Sequence, residues 1–174
     1  IFCLFSCASV NERQLEEAVS NGEMLFQEKR YSEAMTVCSE AEQMARQLDD
    51  QFCLGKIYRI MAHISNAAYR YQDEIQYLKM ASDAFHNAEK PYNRLYVDME
   101  KGMAYYNVSD YASAEKVYRD VLYRAYEVSD TALQAQCLSA YAALSLEVSR
   151  PDPSLAIDML SRVANDLKYP LSSA

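Results

Sequence analysis

Apolar side chains recur along this chain at three- and four-residue intervals with polar positions between them, and short polar turns interrupt the pattern at regular distances. The stretch YSEAMTVCSEAEQMA, Tyr31 to Ala45, shows the rule, with Ala34, Cys38 and Ala41 falling on one helical face. Read this way, the chain predicts eight helices, at roughly 10–28, 32–48, 51–69, 73–89, 92–107, 112–128, 131–148 and 154–168. Ser32, Asp50 and Asp130 are expected to cap the second, third and seventh helices by accepting a free backbone N–H. Asp152-Pro153 is expected to open the eighth, because proline at a first-turn position loses no hydrogen bond. Three glycines and four prolines leave little room for the turns of an all-β fold.

The helices come in a larger unit. Tyr31, Tyr71 and Tyr111 each stand at the start of a helix, forty residues apart. A catalytic site occurs once in a domain, whereas a packing rule recurs with every copy of the unit that needs it. At the same spacing Gly22, Ala62, Gly102 and Ala142 line up in the first helix of each pair, all of them small. In the second helix Ala34, Ala114 and Ala156 correspond, as do Ala41, Ala81, Val121 and Val163. Cys38, Leu78, Tyr118 and Leu160 fill the bulkier register between them. Mid-helix glycine costs about 1 kcal/mol against alanine, so Gly22 and Gly102 in one register point to close approach of two backbones. The fourth unit carries a two-residue insertion in its turn, SRPDPS. A single helical hairpin leaves an apolar face uncovered, and stacking several buries it.

A mid-helix Gly or Ala, an aromatic at the turn, and then Ala, bulky and Ala at helical spacing resemble the tetratricopeptide repeat, over nearly the whole chain after about residue 12. The resemblance implies an all-α fold: a right-handed superhelix of antiparallel helical hairpins, a TPR-like α-solenoid of about four repeats of roughly 40 residues. The chain departs from the pattern where Glu74 replaces an alanine, Ser65 and Ser145 replace an aromatic or leucine, and Pro153 replaces the recurrent tyrosine. Its period also exceeds the usual repeat of about thirty-four residues. In this family the first helices of the pairs line a concave groove. Carried over, the groove-facing positions are Glu16, Val19, Glu23 and Phe26, then Lys56, Arg59, His63 and Asn66. The third unit adds Tyr96, Met99, Met103 and Tyr106, and the fourth Gln136, Ser139, Ala143 and Leu146. Lys56 and Arg59 suit a carboxylate, and Tyr96, Met99 and Tyr106 suit apolar side chains, so the expected ligand is a protein or peptide. The Lys, Asn and Arg arrangement by which co-chaperone repeats hold a C-terminal carboxylate is not reproduced, since Val19 and Glu23 occupy the first unit's positions.

Net charge and residue inventory narrow the function further. At −8, with a pI near 4.8, the chain has no basic surplus to displace counterions from a phosphate backbone, so nucleic acid is not an expected partner. Cys3, Cys7, Cys38, Cys53 and Cys137 show no zinc spacing, and His63 and His86 are far apart in sequence. Cys38, Cys53 and Cys137 read as packing thiols. Without a phosphate loop, nucleophile elbow or HExxH motif, neither an enzyme nor a cofactor is expected.

At the start, Leu4-Phe5-Ser6-Cys7 resembles a bacterial lipobox, with leucine three positions before the cysteine and a small residue directly before it. That resemblance implies lipidation of Cys7 and makes residues 1–8 a signal-peptide remnant; the other reading is an apolar cap on the first hairpin. Residues 9–174 then form the repeat domain, and Pro170 followed by what looks like another helix start suggests an array that continues. The expected function is a non-catalytic binding scaffold, anchored in the bacterial envelope, facing the periplasm, and forming the sensory part of a larger signalling protein. A cytoplasmic receptor for a signalling peptide that regulates transcription is the alternative. An accessory domain of an enzyme lying elsewhere in a longer chain is the third.

Overall fold

The computed structural model describes the backbone of residues 2–147 and 153–165, and the side chains of 11–147, 154 and 156–162. Among these residues there are only helices and turns: α1 (Phe2–Gln27), α2 (Tyr31–Gln47), α3 (Gln51–Ala67), α4 (Tyr71–Asn87), α5 (Pro91–Asn107), α6 (Tyr111–Glu127), α7 (Thr131–Glu147) and α8 (Pro153–Asn165). The helices expected from periodicity are all present. The first begins earlier than its expected start near residue 10, since the backbone is already helical at Phe2. The insertion in SRPDPS falls mainly outside the described residues, as do the expected last turn of α8 and the side chains of Cys7, Pro153 and Val163.

From α2 to α7 the helices keep a strict metre. Each is 17 residues long, and each starts 20 residues after the one before, from Tyr31 to Thr131. Six identical turns impose it. The middle residue of each three-residue turn is left-handed, at Lys29, Asp49, Tyr69, Glu89, Ser109 and Ser129, with φ between 53° and 62°. The N–H of the next residue donates back to a carbonyl five residues earlier, as from Arg30 to Leu25 and from Lys90 to Phe85, both at 2.9 Å. This double-bonded ending satisfies the helix's last carbonyls and reverses the chain at once. Glycine is the usual residue there, yet all three glycines lie inside helices.

Helix starts are divided between two chemistries. Asp50, Asp110 and Asp130 accept N–H groups of Cys53, Ser113 and Leu133 at 2.9, 3.2 and 2.9 Å. The expected cap at Ser32 is not made: α2 already begins at Tyr31, its cap position is Arg30, and no side chain caps it. Arg30 instead donates to Glu33 in the first turn, at 2.8 and 2.6 Å.

The chain divides within α5 into two compact units, Ile1–Val97 and Asp98–Ala174. In the first, α1 packs on α2 and α3, α2 on α3, and α3 on α4; in the second, α6 packs on α7 and α7 on α8. The aligned small residues are buried, including Gly22, Ala62, Gly102, Ala142, Ala34, Ala114 and Ala156. A Cβ placed on Gly22 would lie 2.8 Å from the Cys38 sulfur, and one on Gly102 would lie 2.7 Å from Cδ1 of Tyr118. The small register of one helix thus receives the bulky register of the next.

Gly55 extends this rule to a second contact that the sequence did not single out. A Cβ there would lie 2.6 Å from Cε1 of Phe85. The counterparts in the first hairpin are Leu15 and Ala45, both fully buried. The first hairpin therefore places the large residue on its first helix, and the second places it on its second helix.

Gly55→Leu should lower unfolding free energy by about 3 kcal/mol through overpacking, and Gly102→Leu should do the same. Adding Phe85→Ala to Gly55→Leu, which copies the first hairpin's pairing, should recover at least half of the loss in urea denaturation. An unchanged midpoint in either single variant would refute the contact. The left-handed turns predict the opposite sign: Lys29→Gly and Glu89→Gly should each stabilise by roughly 0.5–1 kcal/mol, read as a raised melting temperature.

Candidate binding cleft

In the first unit, side chains at helical spacing on α1 and α3 enclose a cleft of about 270 Å³. Val19, Glu23, Phe26 and Gln27 come from α1, and Lys56, Arg59, Ile60 and His63 from α3. Phe85 of α4 and Asn93 of α5 complete it. Residues three and four apart share one helical face, which is why successive turns of α1 and α3 converge on one opening.

One end of the cleft is aromatic. The Phe26 ring lies 5.7 Å from His63 and 5.8 Å from Tyr31, the recurrent tyrosine that opens α2. Tyr111, the same tyrosine forty residues on, packs 5.6 Å from Tyr106 in the second unit. Tyr71 differs and meets Tyr69 edge-on at 6.3 Å. A pair of lysines lies beside the cleft, with Lys56 in its lining and Lys90 and Phe52 outside it. The Lys56 ammonium lies 4.4 Å from the centre of the Phe52 ring, and Lys90, just before α5, lies 5.4 Å from the same ring. Phe52 in turn packs 5.9 Å from Phe85.

Of the groove positions expected from sequence, Glu23, Phe26, Lys56, Arg59 and His63 come together here. Asn66 does not line the cleft. Its amide donates at 2.9 Å to Glu74, the buried carboxylate that stands where the other hairpins have Ala34 and Ala114. Tyr96 is half-buried and packs 5.2 Å from Tyr92. Met103 is exposed and Tyr106 half-buried. Met99 is corrected from groove to core: it is only 4% exposed, and the Cys137 thiol donates to its sulfur at 3.4 Å. Gln136, Ser139, Ala143 and Leu146 are all exposed on α7. Phe52, Phe85, Lys90 and Asn93 were missed by sequence reasoning. They sit at the ends of α3, α4 and α5, outside the first-helix face from which the groove was read.

Cys38, Cys53 and Cys137 are free and buried, and burial pushes the thiols up to about 11, 12 and 12, so they stay neutral and poorly nucleophilic at ordinary pH. In the second unit Asp98 is buried between Lys101 at 2.6 Å and Arg124 at 2.7 Å, and Arg124 also meets Asp120 at 2.6 Å. That arrangement satisfies a buried charge with its own neighbours and leaves it little capacity for a ligand. Among the described residues no three His, Cys, Asp or Glu side chains gather as a metal site. No described helix is long and apolar enough to cross a membrane. No protein family, curated protein or solved structure matches this chain.

Proposed function

We propose that the chain is a non-catalytic scaffold of the tetratricopeptide type that binds a protein or peptide, with four hairpins wound as a right-handed superhelix. The observation that carries this reading is the convergence of Glu23, Phe26, Lys56, Arg59 and His63, from the first helices of two successive hairpins, on one cleft. At about 270 Å³ it falls just under the roughly 300–1,000 Å³ of small-molecule sites and suits one or two side chains of a longer ligand. Its lining mixes aromatic, cationic and acidic groups, which favours a peptide over a purely apolar ligand. Peptides selected on the domain from a random phage-displayed library should lose about tenfold in affinity with Phe26→Asp, while the helical circular dichroism stays unchanged. Failure to enrich any peptide, or affinity indifferent to Phe26, would remove the reading.

The lipobox-like Leu4-Phe5-Ser6-Cys7 supports a further part of the proposal: an envelope-anchored, periplasm-facing domain, serving as the sensory part of a larger bacterial signalling protein. Mass spectrometry of the protein taken from its native cell should then find Cys7 at the mature N-terminus carrying a diacylglyceryl thioether. An unmodified Cys7 within a continuous chain would reject anchoring and favour a cytoplasmic receptor.

A further inference from the structure

Lys56 and Lys90 are placed differently from the ion-paired arginines of this chain. Arg13, Arg30, Arg46, Arg70, Arg119 and Arg124 each lie within ion-pair distance of a carboxylate. Among the described residues the two lysines have no such partner, although the chain carries 25 acidic against 17 basic residues. Both ammonium groups are instead drawn to the ring of Phe52, at 4.4 and 5.4 Å from its centre. A ring's negative face attracts each cation, but two like charges at one ring repel each other, and an anion placed between them relieves that repulsion. Lys90 also directly precedes α5, whose N-terminus carries the positive end of the helix dipole.

The other end of the cleft asks for something different. The Phe26 and His63 rings pack against each other with centroids 5.7 Å apart and a 41° tilt, and Glu23 lines the same cleft, which disfavours a second anion there. Lys56 and His63 are seven residues apart on α3, or about 10 Å along its axis. An extended peptide covers that distance in roughly three residues.

Resting on the scaffold reading above, we propose that the cleft selects acidic peptide segments in which a carboxylate side chain lies two or three residues from an aromatic one. The carboxylate binds between Lys56 and Lys90 at Phe52, and the aromatic ring packs on Phe26 and His63. Polarity thereby fixes the direction in which the segment lies.

Fluorescence anisotropy on the full chain tests this with a fluorescein-labelled random copolymer of glutamate and tyrosine. Polyglutamate and a lysine–tyrosine copolymer of equal length serve as comparison probes. The glutamate–tyrosine copolymer should bind about tenfold more tightly than either. Lys56→Gln with Lys90→Gln should weaken it about tenfold, and Phe52→Leu, which keeps an apolar side chain but removes the ring, should weaken it by a smaller factor. Equal binding of the lysine–tyrosine copolymer, equal binding of polyglutamate, or an affinity unchanged in the double lysine variant would each overturn the proposal. Library-selected peptides that depend on Phe26 but ignore both lysines would leave the scaffold standing and remove only its acidic selectivity. If no peptide of any kind binds, both fall.

Discussion

Close approach of two helix backbones, at points where one partner has no side chain, governs how each hairpin can be built. At Gly22, Gly55 and Gly102 the facing Cys38, Phe85 and Tyr118 occupy the space a Cβ would need. Such a contact tolerates exchange of volume across it but not addition, because packed interiors have no slack for an extra methylene. That is why Leu15 and Ala45 in the first hairpin become Gly55 and Phe85 in the second. The metre of the chain serves the same constraint. Helices of 17 residues joined by identical three-residue turns return each contact to the same level, so a small residue meets a large one in hairpin after hairpin. Fidelity to that geometry is strong enough to hold Lys29, Asp49, Tyr69 and Glu89 in a conformation that glycine would adopt more easily.

Chemistry enters where the repeat is broken. In the first hairpin Phe26 occupies a cleft position and Ala34 a packing position; forty residues on, the same two positions hold Asn66 and Glu74. They change together. A carboxylate in a buried alanine site requires a donor, and the amide that replaces the aromatic ring supplies one at 2.9 Å. The cleft consequently has the Phe26 ring on its α1 side, while Asn66 stands at the equivalent position of α3 and is held by Glu74. Its charged lining comes from Glu23 on α1 and from Lys56 and Arg59 on α3.

Polar contacts between helices repeat in position more than in kind. Tyr58 on α3 donates its hydroxyl to Glu42 at 2.8 Å and accepts from Arg46 at 2.7 Å, tying α3 to α2. Its counterpart, Asp98 on α5, is held by Arg124 of α6. Tyr58 and Asp98 are each satisfied by their neighbours, as a low-dielectric interior demands, and each ties one helix to a sequence neighbour. Lys56, which lines the cleft, and Lys90 have no carboxylate within ion-pair distance among the described residues.

By itself the sequence determined the number of helices, their pairing into units and the alignment of small against bulky positions. These follow from a 3.6-residue periodicity that each helix displays and a forty-residue repeat along the chain. That Glu23, Phe26, Lys56, Arg59 and His63 share one cleft was also legible, because a position on a helix face is inherited from unit to unit. Only tertiary structure decided the rest. Met99 and Met103 are four residues apart and looked equivalent, yet α7 covers the first with Cys137 and leaves the second exposed. Gly55 could not be read as a contact because its partner, Phe85, takes the place of an alanine in the first unit. Phe52 and Lys90 lie 38 residues apart on different elements, and only the packing of α3 against α4 and the turn after it bring an ammonium to a ring. Periodicity encodes what each helix presents; which neighbour meets it depends on distances that no single helix contains.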